Sequence, residues 1–156
     1  MPVELAPEMA APSFSLPRDG GGNISLGEFA GRKLVLYFYP RADTPGCTVE
    51  SQAFSALRPA FEKAGTAVLG VSADPIKAQD AFKKKYGLEI PLASDETHRM
   101  MQDYGVWVEK SMYGRKYMGI ERATFLIRPD GRIARVWRKV KVKGHADEVL
   151  AAAKAL

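Results

Sequence analysis

The residues best placed to do chemistry surround the only cysteine, Cys47, in the stretch Tyr37-Phe38-Tyr39-Pro40-Arg41-Ala42-Asp43-Thr44-Pro45-Gly46-Cys47-Thr48-Val49-Glu50. Leu34 to Tyr39 is a continuous run of apolar, strand-forming residues, the pattern of a strand covered on both faces. Pro40 cannot donate to a central ladder and ends it. Thr44-Pro45 then reads as a helix start, with Thr44 as N-cap and Pro45 in the first helical position. Cys47 falls in the first turn, where unpaired backbone N–H groups and the helix dipole favour an anion, so the expected form of its sulfur is a nucleophilic thiolate. Gly46 leaves the sulfur without steric cover, Thr44 and Thr48 bring hydroxyls, and a loop between strand and helix is expected to be exposed. The inert alternative is a lone cysteine buried as a small hydrophobe.

The elements that must hold this stretch can be followed along the chain. Pro12 to Leu26 has short apolar pieces around Asp19-Gly20-Gly21-Gly22 and predicts a small hairpin. In residues 45–64, Val49, Ala53, Leu57, Ala60, Phe61 and Ala64 lie close to one helical face, with Pro59 expected to kink or divide the helix. Ala67 to Ala73 predicts a second buried strand. Asp74-Pro75 starts a helix that Gly87 stops, with Lys83-Lys84-Lys85 on its solvated face. Pro91 to Ala93 is a short extended piece, and Ser94-Asp95-Glu96 opens a helix ending near Tyr104-Gly105. Residues 106–119 predict no regular element. They read either as a loop tucked on the core or as one wall of an active-site entrance. Ala123 to Ile127 is a third buried strand, Asp130-Gly131 a hairpin turn, Arg132 to Trp137 its antiparallel return, and Ala146 to Leu156 a final helix. This order predicts an α/β protein with a thioredoxin-like fold, a central mixed sheet flanked by helices, in one domain spanning residues 1–156. Chemistry is then expected at the C-terminal end of the first long strand.

Composition narrows the function classes. At 46% apolar the chain suits one sizeable core, and no apolar run is long enough to span a membrane. The start, Met1 to Met9, lacks the basic and apolar pattern of a signal peptide, and one cysteine allows no internal disulfide. The expected location is the cytoplasm. The net charge of +5 arises in residues 110–156, where 12 Lys or Arg face 4 Asp or Glu. Arg135, Arg138, Lys139, Lys141 and Lys143 read as a guarded strand edge rather than a nucleic-acid surface, because aromatic residues are not interleaved with them. No specific nucleic acid, membrane, metal or cofactor is expected.

The arrangement Pro40-x-x-x-Thr44-x-x-Cys47 resembles the signature of peroxiredoxins. The longer string from Tyr37 to Glu50 resembles the bacterioferritin comigratory protein (peroxiredoxin Q) branch. The likeness runs from about Phe14 to the C-terminus and includes Trp107 and the run Val136 to His145. It implies a thiol peroxidase in which Cys47 attacks hydrogen peroxide or a small organic hydroperoxide. From the residues themselves, Thr44 can accept the peroxide proton or hydrogen-bond the nearer oxygen, and the amides near Gly46 and Cys47 can donate at the helix N-terminus; the resemblance adds that Pro40 shields the sulfur. A fixed positive charge is also required, and the residues alone leave Arg41, Arg122 and Arg128 open. Gly119 to Ile127 resembles the family's late strand, which opens with the active-site arginine. That likeness carries the role to Arg122 and makes Glu50 its brace.

Many relatives carry a resolving cysteine five residues after the first, where this chain has Gln52, or in the helix after the second strand, where residues 75–87 contain none. The resemblance therefore implies a one-cysteine mechanism with an external thiol reductant: thioredoxin, glutaredoxin or a low-molecular-weight thiol. The expected oligomeric state is a monomer, or at most a weak dimer. Two other readings use the same cysteine. One is a peroxide sensor in which Cys47 oxidation regulates binding; the other is a Cys–His hydrolase using His98 or His145, both expected at the surface.

Overall fold

The structure, a computed structural model, describes residues 4–156. The expectations for Met1 to Val3 lie outside the described residues. The strands are β1 (Ser15–Pro17), β2 (Asn23–Ser25), β3 (Lys33–Phe38), β4 (Thr66–Ser72), β5 (Leu92–Ser94), β6 (Trp107–Met112), β7 (Arg115–Ile120), β8 (Ala123–Ile127) and β9 (Ile133–Trp137). The α-helices are α1 (Pro45–Ala56), α2 (Arg58–Lys63), α3 (Ile76–Tyr86), α4 (Arg99–Asp103) and α5 (His145–Ala155). Five strands form one mixed sheet in the order β5-β4-β3-β8-β9, while β1-β2 and β6-β7 are separate antiparallel pairs. β3 runs parallel to β4 and antiparallel to β8.

Both faces of β3 are covered, as its unbroken apolar run requires. Leu34, Leu36 and Phe38 enter one core with Phe14, Ile24, Met100, Met101, Tyr104 and Phe125. The alternate residues Val35, Tyr37 and Tyr39 enter the other, with Phe54 of α1, Phe61 of α2, Phe82 of α3 and Val149 of α5. The second core also contains hydroxyls, which must be satisfied once buried. The Tyr37 hydroxyl donates to Ser51 Oγ at 2.9 Å, and the Tyr39 hydroxyl to Gln79 Oε1 at 2.6 Å. Gln79 in turn donates from Nε2 to Ser72 Oγ and to the Ala93 carbonyl. These bonds fasten the helices that flank the cysteine to the centre of the sheet.

Several local expectations are corrected. Pro59 does divide the helix, at Leu57, but the inward face of α1 is not the apolar one: Val49 is exposed, and the buried residues are Cys47, Thr48, Glu50, Ser51, Phe54 and Ser55. Cys47, Ser51, Phe54 and Ser55 stand at i, i+4, i+7 and i+8, so the helical period is intact but, apart from Phe54, is carried by small residues. Residues 106–119 belong to a regular hairpin, β6-β7, rather than an irregular loop. α4 begins only at Arg99, because residues 96–97 form a turn. Lys83 and Lys85 are not merely solvated: they pair with Asp19 at 2.7 Å and Asp43 at 2.9 Å.

Candidate active site

β3 ends at Phe38, and the chain crosses Pro40 to Thr44 before α1 begins. This crossing is tied down at two points. The Ala42 N–H donates to Asp74 Oδ2 at 2.7 Å, the same oxygen that accepts from Ser72 Oγ. Asp43, in left-handed backbone geometry at φ 62°, accepts from Lys85 Nζ and the Tyr86 hydroxyl. Asp tolerates this conformation better than a bulky residue. Thr44 has extended geometry at the N-cap, with Pro45 following it, but its hydroxyl donates to the Arg41 carbonyl at 2.8 Å instead of capping the helix. The first amide bonded back to the cap is that of Thr48, to the Thr44 carbonyl at 2.9 Å. The Gly46 and Cys47 amides thus belong to the unpaired set at the helix start.

The structure brings Cys47, Arg122, Glu50 and Gly46 together and puts Thr44 and Pro40 on the adjoining loop. Arg122 reaches the site because β8 is antiparallel to β3: Ala123 pairs with Phe38, so the residue before β8 lies where β3 hands over to the cysteine loop. Arg122 Nη2 lies 3.2 Å from Cys47 Sγ, and Nη1 donates to Glu50 Oε1 at 2.6 Å. A methyl group on Gly46 would sit 3.2 Å from Arg122 Nη2, so the glycine makes room for the guanidinium. Arg128, the rival from the sequence, pairs with Glu8 beyond the other end of β8, and Arg41 is exposed. The loop is exposed at Arg41, Asp43, Pro45 and Gly46, as expected, but the sulfur is not left uncovered: Cys47 is only 1% exposed, because the guanidinium and the core cover it.

Burial pushes the Glu50 carboxyl up to about 7, against the pull of Arg122. Its second oxygen, Oε2, is buried without a hydrogen-bond partner. Burial works against the charge of Arg122 too, but Glu50 and the Cys47 sulfur more than offset it and hold the guanidinium above its ordinary value. A fixed cation therefore stands against the sulfur. Burial likewise holds the Tyr37 and Tyr39 hydroxyls well above the ordinary tyrosine range, so neither serves as a base near neutrality.

His145 is 4% exposed, not at the surface as expected. Its Nε2 lies 2.8 Å from Thr124 Oγ1, and its ring meets Phe54 and Trp137 edge-on. His98 stacks on Trp107 at 3.9 Å between ring centroids. Neither is bonded to Cys47, so the geometry gives the cysteine an arginine rather than a histidine. Four cavities of about 260–460 Å³ are lined by neither Cys47, Thr44 nor Arg122; the one beside Gln52 and Tyr86 measures about 340 Å³. Sequence reasoning missed the supports Asp43, Asp74, Tyr86 and Gln79. Each is an ordinary polar residue locally and acquires its role only through a distant partner.

A family model described as the AhpC/TSA family matches residues 7–136. Peroxiredoxin Bcp of Xanthomonas campestris pv. campestris is 50% identical over 150 residues, covering 95% of this chain and 94% of the relative. The solved structure of a cysteine-to-serine mutant of Xylella fastidiosa PrxQ superposes with a TM-score of 0.93 at 40% identity, covering 98% of each chain. The bacterioferritin comigratory protein of Xanthomonas campestris, solved as a trapped intermediate/ligand complex bearing on its alkyl peroxide reduction activity, has a TM-score of 0.89 at 46% identity over 99% of this chain and 98% of its own. With its mixed sheet, flanking helices and one cysteine facing an arginine, the chain belongs to the AhpC/TSA family and, within it, to the thiol peroxidases of the peroxiredoxin Bcp (peroxiredoxin Q) branch.

Proposed function

We propose that this peroxiredoxin reduces hydrogen peroxide and small organic hydroperoxides through Cys47 alone, with the thiol supplied from outside. The observation that carries the reading is the Arg122 guanidinium 3.2 Å from the buried Cys47 sulfur at the start of α1. The thiolate attacks one peroxide oxygen along the O–O axis. An S–O bond forms as the O–O bond breaks, leaving a sulfenic acid and an alkoxide or hydroxide that takes up a proton as alcohol or water. Arg122 and the Gly46 and Cys47 amides face the charge that grows on the oxygens. Thr44, whose hydroxyl hydrogen is committed to the Arg41 carbonyl, has lone pairs left to accept the peroxide proton. Pro40 contributes no N–H to the pocket rim, and Glu50 fixes the guanidinium.

The sequence offers no second cysteine, so one external thiol attacks the sulfenic sulfur, releasing water and leaving a mixed disulfide. A second thiol displaces Cys47 and departs as the oxidised pair. This cycle suits a reducing compartment, the cytoplasm, and a monomer suffices for it. Among the described residues no helix is long and apolar enough to cross a membrane.

The test is peroxide consumption by wild type and Cys47→Ser with glutathione, glutaredoxin or thioredoxin as reductant. Serine is near-isosteric but barely ionised at neutral pH, so Cys47→Ser should be folded and inactive. Near-wild-type turnover by that variant refutes the assignment. A single stoichiometric burst from wild type with every reductant supports the sensor reading instead.

A further inference from the structure

The hairpin β6-β7 is a separate two-stranded sheet that leads directly into Glu121 and Arg122. Among the described residues it carries four of the seven exposed large apolar side chains: Met112 at 56%, Tyr113 at 98%, Tyr117 at 43% and Met118 at 49%. Neither stability nor local geometry explains them. The two-residue turn, Tyr113-Gly114, has φ of 52° and 76°, a geometry for which Asn-Gly is the favoured pair. A tyrosine there is strained, yet its ring touches almost nothing within the chain. Lys110, Arg115 and Lys116 surround these side chains. Among the described residues, only Lys116 of the three has a carboxylate in reach, Glu109 at 3.8 Å. Apolar anchors within a rim of one charge are the makings of an interface.

We infer that this hairpin is the docking surface for a protein thiol reductant whose reactive sulfur is bordered by apolar and acidic residues; the inference rests on the external-thiol reading above. Charge selects the partner. Two such hairpins, each with three cations and one carboxylate, repel when apposed, whereas an acidic rim is attracted. Reach selects its size. Six residues of strand separate the root of the hairpin at Arg122 from its tip, roughly 20 Å at about 3.3 Å per residue. A tripeptide thiol at Cys47 cannot touch Tyr113, but a folded protein can cover both.

Thioredoxin and dithiothreitol are the probes, a protein and a small dithiol that do the same chemistry. Tyr113→Ser and Arg115→Glu should each raise the KM for thioredoxin about tenfold, the scale of losing one anchor or one rim charge. The rate with saturating dithiothreitol should be unchanged. Added salt should raise the thioredoxin KM of wild type more than that of Arg115→Glu. An unchanged thioredoxin KM in both variants overturns the inference. So does a parallel loss with dithiothreitol, which means that the substitutions disturb Arg122, or a wild-type dimer in sedimentation that both substitutions dissociate. A wild type that turns over with neither thiol overturns the external-thiol reading and the docking surface together; turnover with dithiothreitol alone overturns only the docking surface.

Discussion

Arg122 holds a sulfur and a carboxylate at once, and only a planar fork can do both. Nη1 is committed to Glu50 and Nη2 to Cys47, so a lysine ammonium would have to abandon one. Arg122→Lys should lower kcat/KM for peroxide about a hundredfold, the cost of one misplaced donor at developing charge. Retained activity there, alongside a loss in Arg41→Ala, would mean that the wrong arginine has been chosen. His145 gives a second prediction at this scale. Burial, with the Arg122 charge nearby, lowers its folded value from 6.5 to about 4, so its contribution to stability is whole above about pH 6.5 and is lost as pH falls through about 4. The advantage of wild type over His145→Gln in denaturant should therefore shrink by roughly 3 kcal/mol between pH 7 and pH 4. Glu50 is shifted the other way, raised from 4.5 to about 7, so its contribution is whole below 4.5 and lost as pH rises through about 7. The gap between wild type and Glu50→Gln should then widen on acidification. Gaps that do not change with pH would contradict both assignments.

The first turn of α1 decides what happens to the oxidised sulfur. Cys47 is buried and Gln52 exposed, and five residues on a helix place them about 140° apart around the axis and about 7.5 Å apart along it. No disulfide spans that distance while the helix persists. The bonds from Ala42 to Asp74, from Asp43 to Lys85 and Tyr86, and from Arg122 to Glu50 all oppose unwinding. Without thiol, the sulfenic acid stays beside Arg122 and the unpaired amides of the helix start. Excess peroxide should therefore add two or three oxygens to Cys47, read by intact mass, with no disulfide-linked dimer dominating. Gln52→Cys should divert part of the population to an intramolecular disulfide, and the more so if Asp43→Ala loosens the loop. A stable sulfenic acid in wild type would show that the pocket protects its product.

This helix also shows how far the sequence could be read. Thr44-Pro45 marked its start and Pro59 its division, because both act through the local backbone. Its buried face was misread because apolar period was the only cue, whereas Ser51 and Ser55 are buried against Tyr37 and Glu89 from elsewhere in the chain. The β6-β7 hairpin was missed for the same reason, since its turn contains Tyr where Asn would have signalled it. Arg122 could not be separated from Arg41 and Arg128 by spacing; the antiparallel register of β8 separates them.

At the scale of the molecule, the positive charge outside the β6-β7 hairpin is densest along the last strand and the segment joining it to α5. β9 is an edge of the main sheet, and its Arg135 pairs with Glu148 while covering the Trp137 ring at 4.6 Å. Arg138 is bonded to Glu121 at 3.0 Å. Cations engaged in this way guard an edge more than they present a surface for phosphates. Binding to duplex DNA should be weak and should vanish by physiological salt in an anisotropy titration; sub-micromolar affinity there would contradict the guarded-edge reading.

The same antiparallel register has a consequence in time. Cys47 leaves the ribosome 75 residues before Arg122, and the guanidinium reaches the sulfur only when β8 has inserted beside β3. Closing so long a loop comes late, after the local helices and the parallel β3-β4 pair have had their chance to form. A chain in which β8 has not yet inserted thus lacks the cation beside its sulfur. The reactive centre is therefore complete only when both ends of this 75-residue separation have met, so a chain truncated before β8 should retain Cys47 but lack the cation that faces it.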